Sequence, residues 1–224
     1  MTWSDRLLKS RLFYPVVFLA CAAPLAHLLY NALPVLLPLA FPSATVPWQG
    51  GLSANPTKDL LHETGRDALE LLLFTLCVTP IRRLTGWNRV QIVRRTLGVW
   101  SFVYACLHVT VYVVFDQAGD WRGILDDVAT RKFTFAGMLA FSILLVLTAT
   151  STNGMIRRLK RRWQLLHRLV YVAATAGIVH FAWGQKKDIR EPLEWGAFLL
   201  VLFGIRVYLA VRKRRARLVP AVSQ

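Results

Sequence analysis

Six times along this chain an apolar run of roughly 20 residues has Lys and Arg at one end. The runs are residues 12–33, 62–79, 96–115, 133–151, 163–183 and 193–211. A run of that length matches the hydrocarbon thickness of a bilayer, and a soluble domain of 224 residues does not repeat it. The expected fold is an all-α membrane protein, a six-transmembrane helix bundle. The mean hydropathy of +0.42 agrees.

The net charge of +16 is arranged by side. Eighteen Lys and Arg fall in residues 1–11, 82–95, 152–163 and 212–224, against seven in residues 34–61, 116–132 and 184–192. The positive-inside rule then predicts that both termini are cytoplasmic. The same placement argues against a nucleic-acid face, because the charges close apolar runs instead of forming one basic surface. The basic start and the small residues Cys21-Ala22-Ala23 resemble a signal peptide. The apolar run continues past them, so an uncleaved span is expected. Residues 34–56 look too rich in Pro and Gly for a helix, and residues 116–132 read as a polar connection. No convincing internal repeat is visible. Cys21, Cys77 and Cys106 lie in apolar runs without C-x-x-C or C-x-x-C-H spacing, so they read as core residues and exclude covalent haem attachment. There is no Gly-rich nucleotide motif.

Histidines carry the chemistry. An imidazole in a span is costly unless its nitrogens are occupied. His167 and His180 share the fifth run, roughly 19 Å apart along a helix, so one stands near each membrane face. In the third run His108 lies about 20 Å from the cytoplasmic end, and His180 about 26 Å on the same ruler. Their similar depth makes them candidates for the two axial positions of one haem iron on facing helices. The alternative is that each ring bonds a neighbouring backbone. His167, about 6 Å deep, has no histidine at its own depth in the second to fourth runs. It is a candidate for an inner haem with a non-histidine or open sixth position, or for contact with a propionate, flavin or quinone. On an ideal helix His167 and His180 point about 140° apart, and Gly177 between them is the expected place of a local adjustment. His27, in the first run, is a second outer-side candidate or a satisfied core residue. His62, Arg66 and Glu70 share a helix face at the outer start of the second run. Arg66 there either joins an interfacial ion pair, or binds a haem propionate or an outer partner. Trp163 and Trp183 read as an interfacial belt.

The stretches NPTKDLLHETGRDALELLLFTLCVTPIRR, RRTLGVWSFVYACLHVTVY, TSTNGMIRRLKRRWQLLHRLVY and IVHFAWGQKK, in this order, resemble the MsrQ (YedZ) family. These are the haem-binding membrane subunits of the protein-methionine-sulfoxide reductase system, within the ferric-reductase-like transmembrane group. The resemblance covers most of residues 55–187. It implies haem b, one or two, with His108, His167 and His180 as iron ligands. It further implies FMN, a multi-pass place in the bacterial inner membrane, and a periplasmic molybdopterin-containing methionine sulfoxide reductase (MsrP) as acceptor. The quinone pool or a cytosolic flavin reductase is the implied donor. Residues 1–54 match less well. The expected organisation is an N-terminal span and outer loop (1–54), a haem-binding transmembrane domain (55–211) and a basic cytoplasmic tail (212–224).

Related ferric reductases and NADPH oxidases add a flavin and nicotinamide domain, whereas this sequence stops at Gln224 after its last basic cluster. The expectation is therefore an electron relay fed by a separate donor. The competitors are a free-standing ferric-reductase-like oxidoreductase and a proton-coupled transporter. Few acidic residues lie at span centres and no paired broken helices appear, which weighs against the transporter.

Overall fold

A computed structural model describes residues 13–41, 52–185 and 188–218. The basic start and the last six residues lie outside the described residues. Nine α-helices, joined by loops and short turns, make up nearly all of what is described, and no strand occurs among the described residues. They are α1 (Phe13–Ala40), α2 (Pro56–Thr85), α3 (Gln91–Val111), α4 (Trp121–Thr130), α5 (Lys132–Ala149), α6 (Asn153–Leu159), α7 (Arg161–Leu166), α8 (Val170–Gly184) and α9 (Arg190–Leu218).

Among the described residues five segments are long and apolar enough to cross a bilayer: parts of α1 and α9, α3 with its extension, α5, and α7 through α8. The expected second span, α2, is about 45 Å long. It fails on composition, since Lys58, Asp59, Glu63, Arg66, Asp67 and Glu70 occupy its first half. Its position explains why. Leu69, Leu72, Leu73 and Leu76 of α2 form one core with α5, α8 and α9. Ala68 and Leu71 join Cys21 of α1 and Tyr104 of α3 in a second. Leu60 joins Leu28, Ala32 and Val111 in a third. A helix that meets protein on most sides is not selected for lipid solubility along its whole length.

The ends of α2 follow local chemistry. Asn55 Oδ1 accepts from the Lys58 N–H at 3.1 Å, and Pro56 starts the helix where no amide partner is needed. Gly86, at φ 75°, ends it by returning its N–H to the Arg82 carbonyl. Between helices, Ser101 Oγ donates to the Ala68 carbonyl at 2.8 Å, and the Tyr104 hydroxyl to the Cys21 carbonyl at 2.9 Å. Such bonds register α3 against α2 and α1 where water cannot compete.

Three segments differ from expectation. α1 runs through Pro34 and Pro38 to Ala40 instead of breaking at Pro34. In apolar surroundings a helix interrupted by proline still satisfies its backbone better than an open loop does. The connection at 116–132 contains α4, a strongly amphipathic helix that buries Ile124 and Asp127. Asp127 accepts from the Tyr112 hydroxyl at 3.0 Å and pairs with Arg131 at 3.0 Å, so a polar sequence still folds here. The last turn of α3 widens into a π-helix over Tyr112–Asp116.

Leu73 is fully buried at the centre of the bundle, whereas Leu200 is 70% exposed on the outer face of α9. Leu73→Ala is expected to cost about 2–5 kcal/mol through the cavity it leaves. Leu200→Ala should cost little. Denaturation midpoints of the two variants in one detergent check the difference.

Candidate functional site

The His108 and His180 rings face each other with centroids 6.0 Å apart and planes at 86°. Each is held by the same device. His108 Nδ1 donates to the Leu61 carbonyl of α2 at 2.9 Å, and His180 Nδ1 donates to the Phe133 carbonyl of α5 at 2.7 Å. A carbonyl only accepts, so the proton sits on Nδ1 and the Nε2 lone pair of each ring is free for a metal.

Glycine makes the approach possible. Four residues after each accepting carbonyl stands a glycine, Gly65 in α2 and Gly137 in α5. A Cβ on Gly65 would meet His108 Nδ1 at 3.0 Å, and one on Gly137 would meet His180 Nδ1 at 2.7 Å. Both rings therefore lie against bare helix backbone. The spacing repeats: each carbonyl precedes its histidine by 47 residues. The triads Leu61–Gly65–His108 and Phe133–Gly137–His180 are one pattern displaced by 72 residues. The helix pairs α2/α3 and α5/α8 thus form a structural repeat, contrary to the expectation of none. The sequence signal was slight, a Gly and a His at fixed separation in each half.

Centroids 6.0 Å apart leave room between the two rings for a metal ion bonded to one nitrogen of each.

His167 stands in different surroundings. Its ring stacks on Trp163 at 3.9 Å, with planes at 27°. Nδ1 lies 3.2 Å from the Trp163 carbonyl, and Nε2 lies 3.3 Å from Ser151 Oγ, whose own proton goes to Leu147 O at 2.7 Å. Trp163 Nε1 donates to Thr150 O at 3.0 Å, so this indole is a packed wall of the His167 site as well as a belt residue. The fifth run is not one ideal helix. Residues His167–Leu169 form a 3₁₀ turn between α7 and α8. Three residues at about 120° instead of 100° bring the two histidines from about 140° to about 80° apart. The adjustment lies there and not at Gly177, which remains helical with Leu69 Cδ1 3.5 Å from the place of its Cβ. In the repeat, the position matching His167 is Arg95, whose Nη1 donates to Asn153 Oδ1 at 2.7 Å. The level near the basic loops therefore has one histidine where the level of His108 and His180 has two.

Arg66 pairs with Glu70 at 2.8 Å and with Glu191 at 3.4 Å, so the structure contains the ion-pair alternative. His62 lies 3.2 Å from Gln185 Nε2 and 4.0 Å from Glu191. These contacts tie the outer end of α2 to the start of α9. His27 Nε2 accepts from Asn31 Nδ2 at 3.0 Å, a satisfied position on α1.

The family model of the ferric reductase-like transmembrane component matches residues 64–178, which include Gly65, His108, Gly137 and His167. Over 166 residues the chain is 45% identical to the protein-methionine-sulfoxide reductase haem-binding subunit MsrQ of Herminiimonas arsenicoxydans, covering 73% of this chain and 76% of that protein. The identity to the subunit of the same name from Xanthomonas euvesicatoria is 42% over 171 residues, covering 75% and 78%. The chain belongs to the MsrQ family. With its five apolar helices, it is a multi-pass protein of the bacterial inner membrane. The family model takes in His108 and both seating glycines and ends two residues before His180.

The glycine seats give a graded prediction. Gly137→Ala, at 2.7 Å from the ring, must displace His180 or bend α5, whereas Gly65→Ala, at 3.0 Å, asks less of His108. For an iron porphyrin held between the rings, Gly137→Ala is expected to shift the reduced absorption band more than Gly65→Ala. Spectra of the two purified variants check the order.

Proposed function

We propose that the chain is a haem b electron-transfer subunit, carrying electrons across the inner membrane to a periplasmic molybdopterin-containing methionine sulfoxide reductase. The observation that carries the proposal is the pair of imidazoles 6.0 Å apart, each with its Nδ1 proton committed to a carbonyl. That arrangement is costly in a membrane interior unless both Nε2 atoms have a partner. The MsrQ relatives are named as haem-binding subunits, which supports haem as that partner.

The chain's own residues have definite tasks. The Leu61 and Phe133 carbonyls fix the tautomer and orientation of the rings and raise the basicity of the ligating nitrogens. Gly65 and Gly137 let the rings reach those carbonyls. The Phe133 ring, 5.9 Å from His180, walls the site with apolar surface. Bound there without a covalent link, haem would supply a one-electron iron couple.

In this proposal α2 is the sixth span, its charged first half shielded by the neighbouring helices or lying at the outer surface, and both termini are cytoplasmic. The distribution of Lys and Arg supports that orientation. His108 and His180 then lie toward the periplasm and His167 toward the cytoplasm. Electrons enter near His167 from the quinone pool or a cytosolic flavin reductase, and Trp163 and Ser151 orient that ring.

His108→Ala and His180→Ala are each expected to abolish or strongly shift the reduced-minus-oxidised haem b band, while His27→Ala leaves it unchanged. An unaltered band in His180→Ala would refute the ligand assignment. Reoxidation of the reduced protein by the periplasmic reductase, faster than by buffer alone, is the expected sign of a relay.

A further inference from the structure

Asp127 of α4, 7% exposed, is the most deeply buried charged side chain among the described residues. Its carboxylate is shared between two other elements. Oδ2 accepts from the Tyr112 hydroxyl at 3.0 Å and from Gln117 Nε2 at 3.3 Å, and Oδ1 pairs with Arg131 Nε at 3.0 Å. Each partner stands one short step from a histidine seat. Tyr112 follows His108 by about one helical turn, and its N–H donates to the His108 carbonyl. Arg131 is the single residue between α4 and α5. Its N–H donates to the Asp127 carbonyl at 2.9 Å, and its own carbonyl accepts from the Phe135 N–H at 3.1 Å. Phe133, two residues on, supplies the carbonyl that holds His180. One carboxylate thus connects the helix that carries His108 with the helix that seats His180.

The end of α3 is shaped for this connection. Over Tyr112–Asp116 the helix is widened, and the Gln117 N–H returns to the Tyr112 carbonyl at 2.9 Å. The Gln117 side chain then meets the same Asp127 oxygen as the Tyr112 hydroxyl. Short π-helical insertions of this kind recur where a helix positions functional groups.

We propose that Asp127 is a positioning residue for the His108–His180 pair, setting how α3 and α5 stand to each other and so how the two imidazoles face. A carboxylate suits the task, because its two oxygens accept at once from donors on different elements, and bonds to an ionised acceptor are the stronger kind. An apolar side chain could bury α4 equally well but could not hold Tyr112 and Arg131 in register. The inference rests on the reading that these imidazoles bind haem, and adds to it a residue from outside the pair.

The test uses purified, haem-loaded, full-length protein. The variants are Asp127→Ala, Asp127→Asn, Tyr112→Phe and, as an exposed control, Asp126→Asn. The readouts are the low-spin ferric signal in electron paramagnetic resonance, the rate of haem transfer to apomyoglobin, and the denaturation midpoint. The ferric signal depends on the relative orientation of two axial imidazoles, which a purely fold-stabilising group would not move. Tyr112→Phe deletes one hydroxyl and keeps the ring, so it preserves the fold should Asp127→Ala lose it. Tyr112→Phe and Asp127→Ala are each expected to move the ferric signal and to speed haem transfer severalfold. Asp127→Asn, which keeps one acceptor, should fall between Asp127→Ala and wild type. The Tyr112→Phe/Asp127→Ala double variant should match Asp127→Ala alone, because both changes break the same link. Asp126→Asn should match wild type. A wild-type ferric signal and transfer rate in Tyr112→Phe would overturn the proposal, whatever the denaturation midpoint does. If His180→Ala still removes the haem band in that case, the haem reading stands and only the role of Asp127 falls. A wild-type protein that holds no haem would overturn both.

Discussion

The bundle turns on a hydrogen bond made twice, from an imidazole Nδ1 to a carbonyl in the first turns of a neighbouring helix. A carbonyl inside a helix already accepts from the amide four residues on. A second donor reaches it only when no side chain stands in the way. In α2 and α5 the residue four positions on is glycine, and the histidine ring occupies the place of its Cβ. Tautomer, ring orientation and helix spacing follow together. Loss of the glycine moves the ring, and loss of the bond frees the tautomer.

That constraint explains why α2 sits at the centre. It supplies the seat for His108, accepts the Ser101 hydroxyl and contributes to all three apolar clusters. A helix with so many protein neighbours carries charge at its outer end because those charges find partners. Arg66 has Glu70 and Glu191, and His62 has Gln185. Hydropathy measures fitness for lipid, so it passes over the helix that contributes to all three apolar clusters.

Much of this was legible in the sequence. Counting depth from the basic ends placed His108 and His180 at one level, and the structure brings their rings together. The bounds of α5 lie within two residues of the expected fourth span, whereas α9 starts three residues before and ends seven residues after the expected sixth. What escaped was whatever depends on a second helix. The seats at Gly65 and Gly137 look like ordinary helix glycines until the histidine is seen against them. The repeat was hidden because its halves share little beyond that glycine and histidine. The helix through Pro34 and the amphipathic α4 were misjudged because local composition says nothing of the surroundings that tolerate a proline or pair an Asp127. The ideal-helix angle between His167 and His180 failed for a local reason, a 3₁₀ turn that begins at His167 itself.

The repeat also shows where the two ends of the bundle part company. At the level of His108 and His180 both halves present histidine, each with Nδ1 on a carbonyl. Near the basic loops one half presents His167 and the other Arg95, which is turned to Asn153. Arg94, Arg206 and Tyr171 gather at the same end. Imidazoles supply lone pairs to a metal, whereas guanidinium groups supply only protons and charge to an anion. Two facing imidazoles thus stand at one level of the bundle, and guanidinium groups beside a single imidazole at the other.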